Sequence, residues 1–203
     1  MNEDFWDSRY RESTRIWSGE PNPQLLAEVS ALNPGKALDA GCGEGADAIW
    51  LAQRGWRVTA VDFSRVALDK GMAEAGRLGI DERIDWLQRD LTAWRPPCEF
   101  TLVSAQFLHL QPEVRGLALQ HLASAAVSGG TLLVVGHNRS DLVTPSGKPR
   151  RAEVLFDPDD IVEVLDAAEW RIEVSEARER RVTGGERGAV MLTDTVVRAV
   201  REP

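Results

Sequence analysis

The chain has 203 residues, 43% of them hydrophobic, which suits one domain with a continuous core and leaves no room for a separate catalytic module. Its 32 Asp and Glu exceed its 24 Lys and Arg, and no basic face of the kind that tracks a phosphate backbone stands out, so nucleic acid is not the expected partner. Cys42 and Cys98 are the only cysteines, no run of about 18 apolar residues occurs, and the opening residues are polar. A soluble protein of the reducing cytoplasm, with no membrane partner, is expected.

Lys36 to Ala40 form a short apolar run ending in Gly41-Cys42-Gly43-Glu44-Gly45, and a helical pattern, Ala46 to Arg54, follows at once. Gly55 stops this helix, and Trp56 to Phe63 reads as a second strand, β-branched at Val58, Thr59 and Val61. Ser64 caps a second helix that ends at Gly79. Further strands are expected at Ile84 to Gln88, Phe100 to Gln106 and Thr131 to Gly136, the last introduced by a Gly129-Gly130 turn, with a helix over Pro112 to Ala126 between them. This alternation predicts an α/β, Rossmann-like doubly wound sheet, with ligands at the carboxyl ends of its strands.

The pattern then loosens into the polar stretch His137 to Arg151, before Asp157-Pro158-Asp159-Asp160 opens another helix. Residues 137–156 read as a substrate or lid loop, with a plain surface excursion as the alternative. Trp170 to Val182 and Val190 to Val200, joined by a Gly-rich segment, predict an antiparallel hairpin at one edge.

A glycine turn between strand and helix is by itself a weak signal, because Gly41, Gly43 and Ala46 also fit a loose dinucleotide spacing. Charge separates the readings. Asp39 ends the first strand and Glu44 and Asp47 crowd the turn, where a pyrophosphate would meet like charges but a cationic ligand would meet partners. Asp62 ends the second strand with Phe63 and Ser64 beside it, and a carboxylate there can accept from both hydroxyls of a ribose. The third strand delivers Asp90 and Leu91, suited to an adenine.

Taken together, Ala37-Leu38-Asp39-Ala40-Gly41-Cys42-Gly43-Glu44-Gly45, Val61-Asp62-Phe63-Ser64 and Arg89-Asp90-Leu91 resemble the class I S-adenosylmethionine-dependent methyltransferases. The opening Phe5-Trp6-Asp7-Ser8-Arg9-Tyr10 and Trp17-Ser18-Gly19-Glu20-Pro21-Asn22 are similar to the tellurite-resistance and thiopurine methyltransferase branch. The resemblance spans about residues 1 to 137. It implies a seven-stranded sheet, mostly parallel with an antiparallel last strand, preceded by an amino-terminal cap over residues 1–35. It implies S-adenosylmethionine as cofactor, its methionine portion at Asp39, Gly41, Cys42 and Gly43, its ribose at Asp62, its adenine at Asp90, and its sulfonium beside Ala105 and Gln106 at the end of the fourth strand.

Trp17 either stacks near the cofactor as part of a lid or plugs the core. His109 and His137 follow the fourth and fifth strands, so each either takes a proton from an acceptor or serves as a locally bonded polar residue. Arg139, with Asp141, either orients a charged acceptor or is a solvated loop residue. No Asn-Pro-Pro-Tyr/Phe signature of nucleic-acid amino methylation follows the fourth strand, and no metal cluster of catechol type is apparent. The expected function is methyl transfer to a small-molecule acceptor by direct displacement, with no catalytic base assigned. The competing readings are a cofactor-binding regulatory protein without transferase activity and an NAD-dependent reductase.

Overall fold

The computed structural model describes residues 3–144, 149–183 and 188–203, the side chain of Thr183 excepted. Residues 145–148, in the polar stretch, and 184–187, in the Gly-rich segment between the last two strands, lie outside the described residues.

Two helices precede the sheet, α1 (Glu3–Arg11) and α2 (Pro23–Val29). Asn22 caps α2 by accepting from the Gln24 N–H, with Pro23 in the first turn, where a missing N–H costs nothing. Then come β1 (Lys36–Ala40), α3 (Ala46–Gln53), β2 (Arg57–Asp62), α4 (Arg65–Leu78), β3 (Ile84–Gln88), β4 (Phe100–Gln106) and α5 (Pro112–Ser124). The chain closes with β5 (Ala126–His137), α6 (Pro158–Val162), β6 (Trp170–Thr183) and β7 (Ala189–Arg201). The side chain of Ser64 caps α4 at Ala67, and left-handed Gly79 ends it, as the sequence predicts.

The seven strands lie in the order β3-β2-β1-β4-β5-β7-β6. Pairings from β3 across to β5 are parallel, and β7 runs antiparallel to both β5 and β6. Strand order reverses between β1 and β4, which opens a crevice at their carboxyl ends.

Strand periodicity explains the two apolar layers. Leu38, Val103, Leu132 and Val134 face one side with Leu119 and Leu122 of α5 and Ile161 of α6. Ala37, Leu102, Leu133 and Val135 face the other with Leu25 of α2, Leu51 of α3 and Ala75 of α4.

The fifth strand differs from the expectation. It begins at Ala126, not Thr131, because Phe100 already pairs with Ala126 before Leu102 pairs with Thr131, so Val127 to Gly130 bulge within the strand. Gly129, at φ 74°, allows that bulge and does not introduce the strand.

Candidate functional site

A cleft of about 1190 Å³ opens at the switch point between β1 and β4, and residues from the amino-terminal segment, the glycine loop and the ends of β2, β3, β4, β5 and β6 line it. The glycine loop is pinned from below: the Val61 carbonyl accepts from the N–H groups of Gly41 (2.8 Å) and Cys42 (3.0 Å). Gly41 has φ 76°, a backbone shape that favours glycine, whereas an added Cβ would meet only the Cδ1 end of the Leu108 side chain, at 2.8 Å.

Three carboxylates gather under this loop. Asp39 is 1% exposed, and its Oδ2 has no hydrogen-bond partner among the described residues. Burial first, then the neighbouring Asp47 and Asp62 charges, hold its carboxyl well above the usual range. Asp62 accepts from the Gly43 N–H (2.9 Å) on Oδ2 and the Ser64 N–H (2.8 Å) on Oδ1, and burial still pushes its carboxyl up. Asp47 accepts from the Asn22 N–H (2.6 Å), and burial raises it to about 6.

Glu44 behaves differently from the sequence reading, which grouped it with the charges confronting a ligand. Its Oε2 accepts from the N–H groups of Ile16 (3.0 Å) and Trp17 (3.3 Å), and its Oε1 lies 3.1 Å from Lys70 Nζ. The same Nζ also donates to the carbonyls of Tyr10 and Ser13, each at 2.6 Å. Glu44 and Lys70 thereby fasten the amino-terminal segment to the loop. Trp17 is 45% exposed and lines the cleft, so it does not plug the core; its Nε1 donates to Tyr10 Oη (3.3 Å).

The cleft also takes in Phe63, Asp90, Leu91 and Gln106. Asp90 uses Oδ1 to accept from the N–H and Oγ1 of Thr92. Two of the twelve residues grouped around the cofactor point elsewhere. Ser64 is fully buried, donating its hydroxyl to Asp7 while capping α4. Ala105 faces the layer formed with α5, because alternation along β4 sends Gln106, not its neighbour, into the cleft.

At the far end, rings stack in a column. Trp6 lies 5.9 Å from His109 with planes 5° apart, His109 lies 5.7 Å from His137, and Phe107 lies 4.6 Å from His137. Burial, with Arg150 and Arg9, holds His109 down at about 4; burial, with Arg150, His109 and Arg180, holds His137 at about 2. Arg150 Nη1 is 3.0 Å from His137 Nε2, and since a guanidinium only donates, this nitrogen accepts and the imidazole carries its proton on Nδ1. His137 Nε2 is therefore not open to take a proton from an acceptor.

Arg139 is not at the cleft: it pairs with Asp160 (2.7 Å) and Asp157 (3.2 Å) at the surface. Asp141 is buried and 3.0 Å from Arg150 Nε, an ion pair without an aligned hydrogen bond.

Sequence reasoning missed several residues of the cleft. Trp6 and Tyr10 belong to a helix it did not place, although the Asn22-Pro23 cap was readable as the start of the next one. Phe107 adopts φ 51°, a left-handed conformation that is costly for an aromatic residue, and only the tertiary structure shows it. Arg180 comes from an edge strand rich in alternating charges, where nothing distinguishes it from its neighbours.

Residues 37–130 match the family described as methyltransferase domain. A probable thiol methyltransferase 2 of Arabidopsis thaliana is 27% identical over 135 residues, 64% of this chain, and the chain spans 60% of that relative's length. Among solved structures, TehB from Haemophilus influenzae shares the fold with a TM-score of 0.72 at 17% identity, over 99% of this chain and 67% of its own. A DhpI complex with S-adenosylhomocysteine does so with a TM-score of 0.70 at 22% identity, over 98% and 95%.

Proposed function

From the premise that this chain belongs to the class I S-adenosylmethionine-dependent methyltransferases, we propose that it transfers a methyl group to a small-molecule acceptor by direct displacement. The observation that carries this reading is the set of carboxylates at successive strand ends in one cleft, with a buried, unpartnered Oδ2 on Asp39. An ammonium or sulfonium group would give that oxygen a partner, whereas a pyrophosphate would add negative charge to three crowded carboxylates.

Asp39, Gly41, Cys42 and Gly43 would hold the methionine end of the cofactor. Asp62 would take the ribose hydroxyls on the lone pairs its backbone donors leave unused. Phe63, Asp90 and Leu91 would enclose the adenine, Gln106 would border the sulfonium, and Trp17 would cover the methionine end. When bound, the cofactor supplies a methyl group already activated by the positive sulfur.

The chain's own task is then alignment and exclusion of water, for which the amino-terminal segment fastened by Glu44 and Lys70 is suited. Neither histidine favours accepting a proton: His137 Nε2 is occupied by Arg150, and His109 is held at about 4. The acceptor would thus arrive in the protonation state it needs. Cys42 and Cys98 are both free thiols, which supports a reducing compartment such as the cytoplasm.

Calorimetric titration tests the cofactor class: S-adenosylmethionine is expected to bind and NADH to give no heat. Formation of S-adenosylhomocysteine on a panel of acceptors tests transfer, and binding without any turnover would favour the regulatory reading.

A further inference from the structure

We propose that Arg180 is the specificity-determining residue of this cleft and that it selects an acceptor that is an anion. The inference rests on the methyl-transfer reading for the word acceptor, but its geometry stands apart from the cofactor end.

Arg180 lines the cleft from β6, with its side chain 20% exposed. Its Nε lies 2.6 Å from Oδ2 of Asp194, which is fully buried and also accepts from Gln24 Nε2 (3.1 Å). Gln24 in turn accepts from Arg178 Nη1 (3.0 Å), so the carboxylate that aims Arg180 is itself fixed to α2 and β6. A guanidinium anchored through Nε keeps its two Nη groups for something else. Among the described residues, no hydrogen bond occupies either one. Such a pair of parallel donors matches a carboxylate or another compact oxyanion, and a soft anion can rest against the same edge.

The place of this fork matters as much as its shape. The guanidinium carbon lies 5.2 Å from the centroid of Phe107, the strained residue that directly follows β4 at the switch point. Arg150 stands nearby, paired with Asp141 as Arg180 is with Asp194, and after burial the two arginines are among the charges that keep His137 neutral. A neutral acceptor would leave the Nη donors desolvated without a partner. An anion would satisfy them, and direct contact with the guanidinium would favour the charged form of an ionisable nucleophile.

The test uses the full chain saturated with S-adenosylhomocysteine and three probes. Thiocyanate carries its charge on the nucleophile, 3-mercaptopropionate carries a separate carboxylate, and 2-mercaptoethanol below its thiol ionisation is neutral. Arg180→Gln is expected to weaken at least one anion tenfold or more in calorimetry while leaving S-adenosylhomocysteine and the neutral probe within about twofold. Arg180→Lys, which keeps the charge and the Asp194 pair but loses the fork, should fall between. Which anion suffers shows where the charge of the acceptor sits. The proposal is overturned if neither anion binds wild type more tightly than Arg180→Gln and Arg180→Lys, or if the neutral probe loses as much. Absence of S-adenosylhomocysteine formation from S-adenosylmethionine with all three probes would count against methyl transfer and would leave the anion site standing.

Discussion

The two ends of the cleft are built on opposite charge but obey one rule. Under the glycine loop, burial pushes the carboxyls of Asp39, Asp47 and Asp62 up; beside β6, burial and the arginines push His109 and His137 down. Each end thus shifts its titrating groups toward their neutral forms, because burial raises the cost of charge. The cofactor end offers acceptors, the other end offers arginine donors, and a cationic methyl donor meeting an anionic acceptor fits that division. Polarity along one cleft carries more information than either end alone, because the acidic loop bears on the cofactor and not on the acceptor.

The largest expected effect comes from breaking the acidic end. Asp62→Ala removes the partner proposed for the ribose and also orphans the N–H groups of Gly43 and Ser64. Cofactor affinity should fall by about 1.5 kcal/mol or more. Calorimetry on the folded variant checks this, and an unchanged affinity would remove Asp62 from the cofactor.

Acidity sharpens the comparison, because the two ends respond with opposite sign. Asp47, raised to about 6, contributes stability that is present below its ordinary value of 3.8 and lost as pH rises through 6. His137, depressed to about 2, contributes stability that is present above 6.5 and declines as pH falls below it. In thermal melts, Asp47→Asn should therefore lose less stability than wild type between pH 5 and pH 7.5. His137→Gln should lose less than wild type between pH 6.5 and pH 5. S-adenosylmethionine affinity should rise with pH across the lower interval, since ionised carboxylates are its proposed partners; parallel pH profiles for both variants would contradict the assignment of opposite roles.

Glu44→Ala should have the smallest effect on affinity, weakening S-adenosylmethionine only a few-fold, because Glu44 acts through the amino-terminal segment. Hydrogen exchange over residues 3–17 should quicken more than elsewhere. A loss as large as that of Asp62→Ala would mean that Glu44 touches the ligand after all.

Much of this arrangement was legible in the residues. Strands ending at Ala40, Asp62 and Gln88 follow from short apolar runs bounded by glycine and caps, which are local signals. The seven-stranded sheet with its antiparallel edge also agrees with the sequence reading. What escaped depends on contacts distant in sequence. Glu44 cannot be told from a free loop carboxylate without Lys70, which comes from α4, and Ser64, legible as a helix cap, also reads as a cofactor residue until α1 brings Asp7 against its hydroxyl. Arg180 gains its meaning only when the hairpin folds back beside β5 and Asp194 is buried behind it. The shift of β5 to Ala126 shows tertiary pairing with Phe100 overriding a glycine pair that signals a turn.

The indole of Trp86 on β3 lies against two glycines, Gly45 at the start of α3 and Gly71 within α4, and a Cβ on either would come within 2.5 Å of it. Gly71 is thus a helix-interior glycine that the chain retains at a cost of about 1 kcal/mol relative to alanine. For anyone engineering a sturdier version of this protein, that position is closed: filling it would displace Trp86, which also lies against Gly45 of the glycine loop. The neighbouring helix glycines, Gly76 in α4 and Gly116 in α5, would meet nothing within 4 Å and are where alanine can be introduced. The thermostability accessible to this scaffold by simple helix substitution therefore lies away from the cleft, where rigidity and turnover need not compete.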